Sequence, residues 1–368
     1  MTPHIVVLGA GYSGMVASKL AARRTGAPVT LVNARDTFVE RVRMHQLASG
    51  QELPERPIKE LLEGTGVDFV ADRVIHIDAD RRTVVLTGQE LRYDVLIYAL
   101  GSRTDLSSVP GTSEYAYTVA DVDNATRLRE RLEKEGSVAV VGGGLTGIEV
   151  ATEIAETYPG REVRLVTSSE FGAGLSDRGR RHLHRTFKRL GISRVEGVRV
   201  ASVDGSGLPL DGNDRLEADI VVWTTGFEVS RLAAEAGFAV DSRGRMVVDG
   251  TLRSVSHPDV YAVGDAAAVR RNTGQELRMA CATGIPAAAH AVRALTDRLA
   301  GREPRDLHFR YFNQCISLGR HDALIQFVRA DDTPVEAVLT GRTAAKYKET
   351  IVRSAYLAQR HPALTALT

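Results

Sequence analysis

Two glycine-rich segments with the same pattern constrain the fold of this chain more than any other feature. The first spans His4–Ala22 ("HIVVLGAGYSGMVASKLAA") and the second spans Val138–Glu156 ("VAVVGGGLTGIEVATEIAE"). Each places a GxGxxG turn between a β-branched apolar run and a helical pattern, and a further apolar run follows at Pro28–Asn33 or Glu162–Thr167. The turn glycines are Gly9, Gly11, Gly14, Gly142, Gly144 and Gly147. The sequence therefore predicts two βαβ units in tandem, 133 positions apart from position 9 to position 142.

A second pair of segments supports this duplication. Leu91–Ser102 and Leu216–Phe227 both consist of Leu-x-x-Asp, four apolar residues, two further residues and Gly. They lie 125 positions apart, from 91 to 216, and a predicted β-ribbon precedes each of them, at 73–89 and 198–212. A short strand at 260–263 and an alanine-rich helix at about 280–300 follow the second unit. From Leu307 the pattern changes to a hairpin and a final helix, which indicates a small C-terminal domain.

The chemistry of the two turns indicates the type of ligand. In a GxGxxG turn the glycines allow a tight turn, a close approach of backbone to a pyrophosphate and close packing of helix on strand. The start of the helix adds free N–H groups and the positive end of the helix dipole. Two turns in matching contexts therefore predict two bound dinucleotides. A nicotinamide and a flavin are the usual pair, because hydride passes between their rings.

Composition limits the other function classes. A length of 368 residues suggests two or three domains. The formal net charge is +1, so no overall charge indicates a nucleic-acid partner. The two cysteines, Cys281 and Cys315, are too few for a disulfide framework or a metal cluster, and we predict no metal site.

The apolar runs and the N-terminal segment predict the location. No apolar run approaches the roughly 18 residues of a membrane helix, and the chain enters a strand without a basic leader and an apolar core. We therefore expect a cytoplasmic protein. The basic amphipathic segment at 343–359 leaves three uses open: peripheral contact with the inner face of a membrane, packing on its own domain, or packing across a homodimer. Packing is the preferred interpretation, because the apolar face is small.

The ordered motifs "GAGYSG", "ALGS", "GGGLTGIE", "TTGF" and "VYAVGDAA" resemble those of the pyridine nucleotide–disulfide oxidoreductase superfamily over nearly the whole chain. Within it the chain is most similar to type II NADH dehydrogenases and the apoptosis-inducing-factor-like NAD(P)H:quinone reductases. The resemblance implies an α/β fold with two Rossmann-like dinucleotide-binding domains. It implies an FAD domain at 1–110 and 236–306, split by an inserted NAD(P)H domain at 111–235, and a C-terminal α+β interface domain at 307–368.

The resemblance also assigns cofactor-binding residues. Those expected to contact FAD are Gly9, Gly11, Ser13, Gly14, Asn33, Arg35, Arg43, Gln46, Val74, Ala99, Leu100, Gly101 and Asp265. Those expected to hold the NAD(P)H phosphates are Gly142, Gly144, Thr146 and Gly147. Neighbouring positions also expected to contact a cofactor are Tyr12, Ala34, Leu145, Thr167, Gly226, Gly264 and Ala282.

Two residues are candidates for catalysis. Glu149 matches a glutamate that lies near the nicotinamide and the flavin in such enzymes, and its plain alternative is a carboxylate on a helix surface. His45 falls where relatives place flavin contacts, and it could donate a proton to a reduced quinone. A lone histidine is more often structural, and that alternative also stays open.

Several positions depart from the pattern of the superfamily. Asn33 stands where an acidic residue grips the FAD ribose, and Thr167 stands at the matching place of the second unit. The choice between NADH and NADPH is therefore open, with the arginines at 178, 180 and 181 as distant candidates for a 2′-phosphate. No cysteine pair is present for a thiol relay beside the flavin. Cys281 and Cys315 could meet in space, as in sulfide-oxidising relatives, and the preferred interpretation is that they are buried apolar side chains. The glutamine-rich quinone motif is absent from 278–291.

These features predict a flavoenzyme that takes hydride from NAD(P)H onto FAD and passes two electrons to a quinone or a similar small acceptor. Three alternatives stay open. One is a ferredoxin or rubredoxin reductase, and another is a biosynthetic flavoenzyme that acts on a quinone-like product. The third is a redox-sensing flavoprotein without turnover. Two complete dinucleotide turns favour turnover over sensing.

Overall fold

The computed structural model describes residues 2–362, and this part of the chain forms two five-stranded parallel β-sheets, two three-stranded antiparallel sheets, three two-stranded sheets and ten α-helices. The N-terminal elements in chain order are β1 (Ile5–Leu8), α1 (Tyr12–Thr25), β2 (Val29–Asn33), α2 (Met44–Ala48), α3 (Ile58–Leu62), β3 (Val67–Ala71), β4 (Val74–Asp78), β5 (Thr83–Leu86), β6 (Glu90–Arg92), β7 (Val95–Tyr98) and β8 (Ser102–Thr104). The predicted first ribbon is confirmed, since β4, β5 and β6 form an antiparallel sheet.

The middle segment repeats the strand–turn–helix pattern. Its elements are α4 (Thr112–Tyr115), β9 (Ala116–Tyr117), α5 (Val122–Leu132), β10 (Val138–Val141), α6 (Leu145–Thr157), β11 (Val163–Thr167), α7 (Asp177–Leu190), β12 (Ser193–Glu196), β13 (Gly207–Pro209), β14 (Arg215–Glu217) and β15 (Ile220–Trp223). They are followed by β16 (Phe227–Val229), α8 (Leu232–Glu235), β17 (Met246–Val247), β18 (Val260–Ala262), β19 (Ala267–Ala268) and α9 (Cys281–Leu299). The C-terminal elements are β20 (Asn313–Ser317), β21 (Ala323–Val328), β22 (Pro334–Thr340) and α10 (Gly341–Arg360).

The first parallel sheet has the order β18-β7-β1-β2-β3. Its strands are short apolar runs, and β1 and β7 are completely buried, as expected for a sheet covered on both faces. β18 comes from the chain after the second sheet, so the first sheet closes only when the chain returns. α1 and α9 pack against each other and share one apolar core with this sheet.

The second parallel sheet has the order β12-β11-β10-β15-β9. Its centre is built like that of the first sheet: β10 lies between β11 and β15, as β1 lies between β2 and β7. In both sheets the GxGxxG turn follows the central strand, at the point where the strand order reverses. The carboxyl edge at such a point is where open α/β sheets bind ligands.

The predicted second ribbon forms only in part. Gly207–Pro209 pairs with Arg215–Glu217, whereas 198–204 contributes isolated bridges such as Val200 with Leu210. The segment 204–207 reads Asp-Gly-Ser-Gly and lacks the β-branched residues that favour strands.

The C-terminal elements form a three-stranded antiparallel sheet with α10 packed against it. β20 and β21 confirm the predicted hairpin, and β22 adds a strand that the sequence pattern did not indicate. The sheet lies on α6, and α10 reaches back to α1 and α3. The apolar face of α10, which includes Ala344, Val352 and Ala358, is buried within the molecule. Across residues 2–362, none of the helices combines the length and the apolar character that crossing a bilayer requires.

Candidate functional site

Two of the three glycines in the first turn, Gly9 and Gly14, leave no room for a side chain. Gly9 has a φ of +97°, and a Cβ there would lie 2.4 Å from the carbonyl oxygen of Ala99. A Cβ on Gly14 would lie 1.8 Å from the carbonyl oxygen of Gly9. At Gly11 no atom lies within 4 Å of the Cβ position, so the start of α1 borders open space. No side chain caps that helix start.

The second turn has the same geometry. Gly142 has a φ of +123°, and a Cβ there would lie 2.6 Å from Oγ1 of Thr224, which follows β15 as Ala99 follows β7. A Cβ on Gly147 would lie 1.9 Å from the carbonyl oxygen of Gly142. Gly144 borders open space, and α6 has no side-chain cap.

The N–H groups of the first helical turn lack partners within a helix, and they form a binding site for anions when no side chain caps them. Both turns therefore fit a pyrophosphate. In front of the second turn lies a cleft of about 730 Å³. Among its lining residues are Gly142, Gly144, Leu145, Thr167, Arg199 and Trp223. Thr146 lies in the first turn of the same helix, half-buried.

The end of β2 is fixed to the first turn through Asn33. Its Oδ1 accepts a hydrogen bond from the backbone N–H of Ala10 at 2.9 Å, and its Nδ2 donates to the carbonyl oxygen of Arg35 at 2.8 Å. The Arg35 guanidinium forms an ion pair with Asp123 of α5. Asn33 thus orders the loop that contains Ala34 and leaves that loop at the carboxyl edge of the first sheet. Val74 lies farther along, half-buried at the start of β4.

Asp265 lies in the turn after β18 and contacts the loop after β7. Its Oδ2 accepts a hydrogen bond from Oγ of Ser102 at 2.7 Å and lies 3.6 Å from the Arg41 guanidinium. Gly264 and Gly101 both have left-handed φ values, of +70° and +65°. A Cβ on Gly264 would lie 2.8 Å from Oγ of Ser13, so the turn at 264–265 packs closely on the start of α1.

The start of α9 completes this edge. Its N-cap, Ala280, provides no side-chain hydrogen bond, and Ala282 lies in the first turn. Burial, and then the charge of Asp265, raises the pKa of the Cys281 thiol at the first position of this helix. The structure thus brings Gly9–Gly14, Ala99–Gly101, Asp265 and Ala282 to one edge of the first sheet. Gly226 follows β15, and a Cβ there would lie 3.2 Å from Cβ of Asp105.

A cluster of four residues lies where the two parallel sheets and the C-terminal elements meet. This junction cluster consists of His45 on α2, Glu149 on α6, Ser317 at the end of β20 and Lys348 on α10. Oε1 of Glu149 contacts Nζ of Lys348 and accepts a hydrogen bond from the backbone N–H of Ser317 at 3.0 Å. Nδ1 of His45 lies 3.9 Å from Oε2 of Glu149. Glu149 is therefore a largely buried carboxylate, with its side chain 13% exposed, between three units. This position differs from that of an ordinary carboxylate on a helix surface, and its catalytic role stays a prediction.

Burial controls the protonation of the junction cluster. The His45 side chain is 3% exposed. Burial, followed by the charges of Lys348 and Arg320, lowers its pKa well below the ordinary value. The imidazole is therefore neutral at pH 7, and its Nε2 has no hydrogen-bond partner among residues 2–362. Burial, followed by the charge of Arg43, lowers the pKa of Lys348 to about 7, and contact with the Glu149 carboxylate favours the charged ammonium near that pH.

Two further sets of polar residues surround the junction cluster. Arg43 donates to both carboxylate oxygens of Glu349 on α10, at 3.1 and 2.7 Å, and to Oε1 of Gln46 at 3.2 Å. One turn beyond Glu149, Glu153 is 1% exposed and forms an ion pair with Arg320 at 2.8 Å. Burial raises the pKa of Glu153 to about 7 despite that arginine. Tyr12, the first residue of α1, packs edge-on against Phe38, with ring centroids 5.1 Å apart.

The structure also clarifies positions that the sequence left open. Arg178 contacts Glu336 outside the cleft, whereas Arg180 is paired with Asp177 and with Glu170, which lines the cleft. Cys281 and Cys315 are both free thiols. Burial raises the pKa of Cys315 to about 12, which leaves the thiol form at neutral pH.

Sequence reasoning missed Lys348 and Ser317 as partners of Glu149. Lys348 is one of several basic residues in the final helix, and no local pattern marks it as the buried one. Its role depends on how α10 packs across the molecule, about 200 positions from Glu149 along the chain. An apolar i, i+4 spacing around it, at Ala344 and Val352, is the only local signal that it lies on the inward face.

Comparison with known proteins agrees with this architecture. The family model described as pyridine nucleotide-disulphide oxidoreductase matches residues 3–294. An NADH dehydrogenase-like protein of Mycobacterium tuberculosis is 32% identical over 78% of this chain and 78% of its own length. A type II NADH:quinone oxidoreductase of Staphylococcus haemolyticus is 25% identical over 94% of this chain and 93% of its own length.

Solved structures show the same fold. The sulfide:quinone oxidoreductase of Aquifex aeolicus superposes with a TM-score of 0.84 at 18% identity, covering 97% of this chain and 91% of that one. The NDH2 of Plasmodium falciparum in complex with NADH gives a TM-score of 0.81 at 15% identity, covering 98% of both chains. With the duplicated turns and the family match over most of its length, the chain belongs to the pyridine nucleotide-disulphide oxidoreductase family.

Proposed function

We propose that this protein is an FAD-dependent NAD(P)H oxidoreductase that passes two electrons to a quinone. The observation that carries the proposal is the pair of uncapped glycine turns, one in each parallel sheet, with an interior carboxylate and lysine between the two sheets. The resemblance to the family places FAD at the first turn and NAD(P)H at the second.

The residues at the first turn fit FAD. The free N–H groups at the start of α1 bind its pyrophosphate, and the open space beside Gly11 admits the phosphates. Asn33, fixed by Ala10 and Arg35, faces the ribose hydroxyls as a neutral partner. Asp265 accepts hydrogen bonds from the ribityl chain, and Ser102 and Arg41 hold the carboxylate in position. When bound, the flavin supplies a two-electron carrier that takes hydride from a nicotinamide.

The remaining predicted contacts fall around this first site. Ser13, Ala99, Leu100 and Gly101 lie around the first glycine turn, and Ala282 lies at the uncapped start of α9, which packs on Ser13 through Gly284. Arg43 and Gln46 approach from the side of α2, next to His45. The domain division at 1–110 and 236–306, 111–235 and 307–368 belongs to this proposal and is supported by the return of β18 to the first sheet.

The residues at the second turn bind NAD(P)H. Gly142, Gly144 and Gly147 let the start of α6 approach the pyrophosphate, and Leu145 and Thr167 line the cleft next to it. Thr146 lies beside Leu145 in the first turn of α6. The cleft's volume of about 730 Å³ lies in the range of small-molecule sites, roughly 300–1,000 Å³.

Reduction of a quinone by NAD(P)H consumes one proton in addition to the hydride, and the junction cluster can hold that proton. Lys348 carries a proton at Nζ, and Glu149 keeps that ammonium in place through direct contact. His45 is a neutral imidazole with a free Nε2, available to a hydroxyl or carbonyl group of a bound partner. We propose Glu149 and His45 as the catalytic residues, together with Lys348.

The names of relatives support a quinone as the electron acceptor. They include the alternative NAD(P)H-ubiquinone oxidoreductase of Arabidopsis thaliana, at 27% identity, and the demethylphylloquinone reductase of Synechocystis, at 23% identity. Both align over 88% or more of this chain.

Peripheral contact with a membrane at its cytoplasmic face is part of the proposal. Its support is three exposed aromatic side chains of the C-terminal sheet and helix, here called the aromatic patch: Phe312, Phe327 and Tyr347, with Phe312 73% exposed. Exposed basic residues, Arg310, Arg329 and Lys346, lie next to it in sequence. A basic surface with exposed aromatic rings suits an anionic lipid interface. The competing use of the same patch is a homodimer contact.

An acceptor panel tests the function. The purified protein is reduced with NADH or NADPH under anaerobic conditions and then mixed with a short-chain ubiquinone, a menaquinone analogue, a ferredoxin or oxygen. We expect the quinones to reoxidise the protein faster than the other two acceptors. Fast reoxidation by the ferredoxin alone would indicate a ferredoxin reductase instead, and slow reaction with every acceptor would indicate the sensing or biosynthetic alternatives.

A further inference from the structure

We propose that the cleft in front of the second glycine turn selects NADPH over NADH, and that Arg199 is the residue that binds the 2′-phosphate. The inference rests on the proposed function and adds the identity of the pyridine nucleotide. It depends on three observations at the end of the cleft where β11 and β12 finish.

The first observation is the set of side chains at the end of β11. In a dinucleotide-binding unit this strand ends near the adenosine ribose, and NADH-binding proteins place a carboxylate there to accept the 2′-hydroxyl. Here the strand ends in Thr167, Ser168 and Ser169, which all line the cleft. Hydroxyl groups can donate to a phosphate and do not repel it.

The second observation is that the nearest carboxylate on β11's side is already engaged. Glu170 follows the two serines and lines the cleft, but its Oε1 accepts a hydrogen bond from the Arg180 guanidinium at 2.9 Å. The hydroxyls at 167 and 169 instead bond each other, at 3.2 Å, which keeps the end of the strand compact.

The third observation is the position of Arg199. The backbone N–H of Val198 donates to the carbonyl oxygen of Thr167 at 3.2 Å, so the segment after β12 lies directly beside the end of β11. Arg199 follows, lines the cleft and is exposed. Its guanidinium forms no ion pair with any of residues 2–362. It is the one arginine that lines this cleft in the described part of the chain.

The charges of the surrounding groups favour NADPH over NADH. A 2′-phosphate carries about −1.5 to −2 charges, and a guanidinium can bind it through two parallel hydrogen bonds. Asp211 is the other acidic residue lining the cleft, and its backbone N–H already donates to the carbonyl oxygen of Arg199 at 3.0 Å. Arg199 is tied to the end of β11 through the adjacent Val198, whose N–H donates to the carbonyl oxygen of Thr167, and no such backbone bond links Asp211 to Thr167. The end of β11 offers no carboxylate to the 2′-hydroxyl of NADH. We therefore expect the cleft to bind NADPH more tightly than NADH.

Calorimetry with nucleotide fragments tests this inference without any redox reaction. The probes are adenosine 2′,5′-bisphosphate, which carries the 2′-phosphate, and 5′-AMP, which lacks it. We expect the wild-type protein to bind the bisphosphate at least about tenfold more tightly, the gain of one good charge-assisted contact. Arg199→Ala should remove most of that difference and change 5′-AMP binding less than about twofold. Ser168→Glu, at an exposed position, should reverse the preference.

Arg185→Ala is the matched control. Arg185 is an exposed arginine on α7 in the same unit and does not line the cleft. The control should bind both fragments as the wild type does. The inference is overturned if the wild type does not prefer the bisphosphate, if Arg199→Ala keeps the full preference, or if Arg185→Ala loses as much of it.

Reduction of the bound flavin separates this inference from the proposed function. If NADH reduces the wild-type protein with a kcat/KM equal to or above that of NADPH, the selection of NADPH is wrong and the oxidoreductase proposal stands. If neither nucleotide reduces the flavin, the oxidoreductase proposal fails, whatever the fragments show. Arg199→Ala should lower kcat/KM for NADPH through KM and leave kcat for NADPH nearly unchanged, because the 2′-phosphate lies far from the reacting ring.

Discussion

At the scale of single residues, Glu149 links three parts of the molecule: the second parallel sheet through α6, the C-terminal sheet and α10. It begins the inward face of α6, accepts the backbone N–H of Ser317 and contacts Lys348. Its neighbour one turn along, Glu153, is even more deeply buried and joins Gln51 to Arg320. Both carboxylates lie on the face of α6 that the C-terminal sheet covers. Substitutions at these two positions should therefore change the free energy of unfolding through that contact.

A double-mutant cycle on Glu149 and Lys348 should show strong coupling. Lys348→Met leaves a carboxylate in the interior without its ammonium partner. Because an unpaired interior charge is costly, we expect the free energy of unfolding to fall by about 3 kcal/mol. Glu149→Gln together with Lys348→Met should cost less than the sum of the two single changes. Denaturant unfolding of the wild type, the two single variants and the double variant measures the coupling free energy. Purely additive losses would show that the contact between Glu149 and Lys348 does not contribute to stability.

Glu153 should make stability depend on pH. Its pKa is raised by burial to about 7 in the folded protein, against about 4.3 in an unfolded chain. Between those values the unfolded state has released the proton and the folded state retains it. Stability contributed by the neutral acid is therefore lost as pH rises from about 4.5 to about 7, by an amount of order 3 kcal/mol.

Glu153→Gln tests this pH dependence, because the amide cannot titrate. From pH 5 to pH 7 the free energy of unfolding should fall less in the variant than in the wild type. Glu130→Gln, at an exposed position on α5, serves as the control and should leave the wild-type profile unchanged. Parallel profiles for the wild type and Glu153→Gln would contradict a raised pKa.

At the scale of elements, the two glycine turns share one geometry but bind different cofactors in our proposal. A substitution in one turn should therefore weaken the binding of one cofactor only. Gly14→Ala places a Cβ 1.8 Å from the carbonyl oxygen of Gly9, and Gly147→Ala places one 1.9 Å from that of Gly142. Neither backbone can accept such a contact, so the helix must shift away from its strand. We expect Gly14→Ala to lower the flavin content of the purified protein at least about tenfold.

Gly147→Ala should give the complementary result: flavin stays bound, and the apparent affinity for pyridine nucleotide falls by a similar factor. The control is Gly205→Ala, since a Cβ there would make only ordinary contacts, 3.7 Å or more from the Tyr115 ring. Flavin absorbance and the nucleotide dependence of flavin reduction measure the two effects. If Gly14→Ala and Gly147→Ala lost the same ligand, the division of the two cofactors between the turns would be wrong.

Elements with strong local patterns could be predicted from the sequence. The strands β1 and β10, the helices α1 and α6, the first ribbon and α9 all follow from apolar periodicity and glycine position, and they appear within a residue or two of the predicted limits. The strand β22 was missed because its sequence, Pro334–Thr340, is half-exposed and lacks a continuous apolar run. The pairing of Glu149 with Lys348 could not be predicted, since it joins elements distant in sequence through packing alone. Arg199 was missed because only the register of β11 and β12 places it at the cleft.

At the scale of the whole molecule, the C-terminal sheet and α10 cover α6 and present an aromatic patch on their outer side. Phe312 is its most exposed member, and its carbonyl oxygen accepts the N–H of Val328 beside the hairpin. Because the buried face of α10 already packs inside the molecule, we expect the proposed contact with a membrane to use the aromatic patch.

Phe312→Ser should therefore weaken binding to vesicles that contain anionic lipid by about tenfold, because one exposed aromatic ring contributes of order 1–2 kcal/mol at an interface. Co-sedimentation with phosphatidylglycerol vesicles measures binding, and Phe227→Ser, an exposed aromatic on β16, is the control. Equal binding of Phe312→Ser and wild type would remove the patch from the proposal. A monomer–dimer shift of the wild type that Phe312→Ser abolishes would assign the patch to a homodimer instead.

The central claim is that two dinucleotide sites in one chain exchange hydride, and an anaerobic titration of the purified protein tests it most directly. We expect the protein to carry about one FAD per chain and to be fully reduced by about one equivalent of NADPH. One equivalent of a short-chain quinone should then restore the oxidised spectrum. A purified protein that binds no flavin after reconstitution, or a bound flavin that neither NADPH nor NADH reduces, would contradict the account.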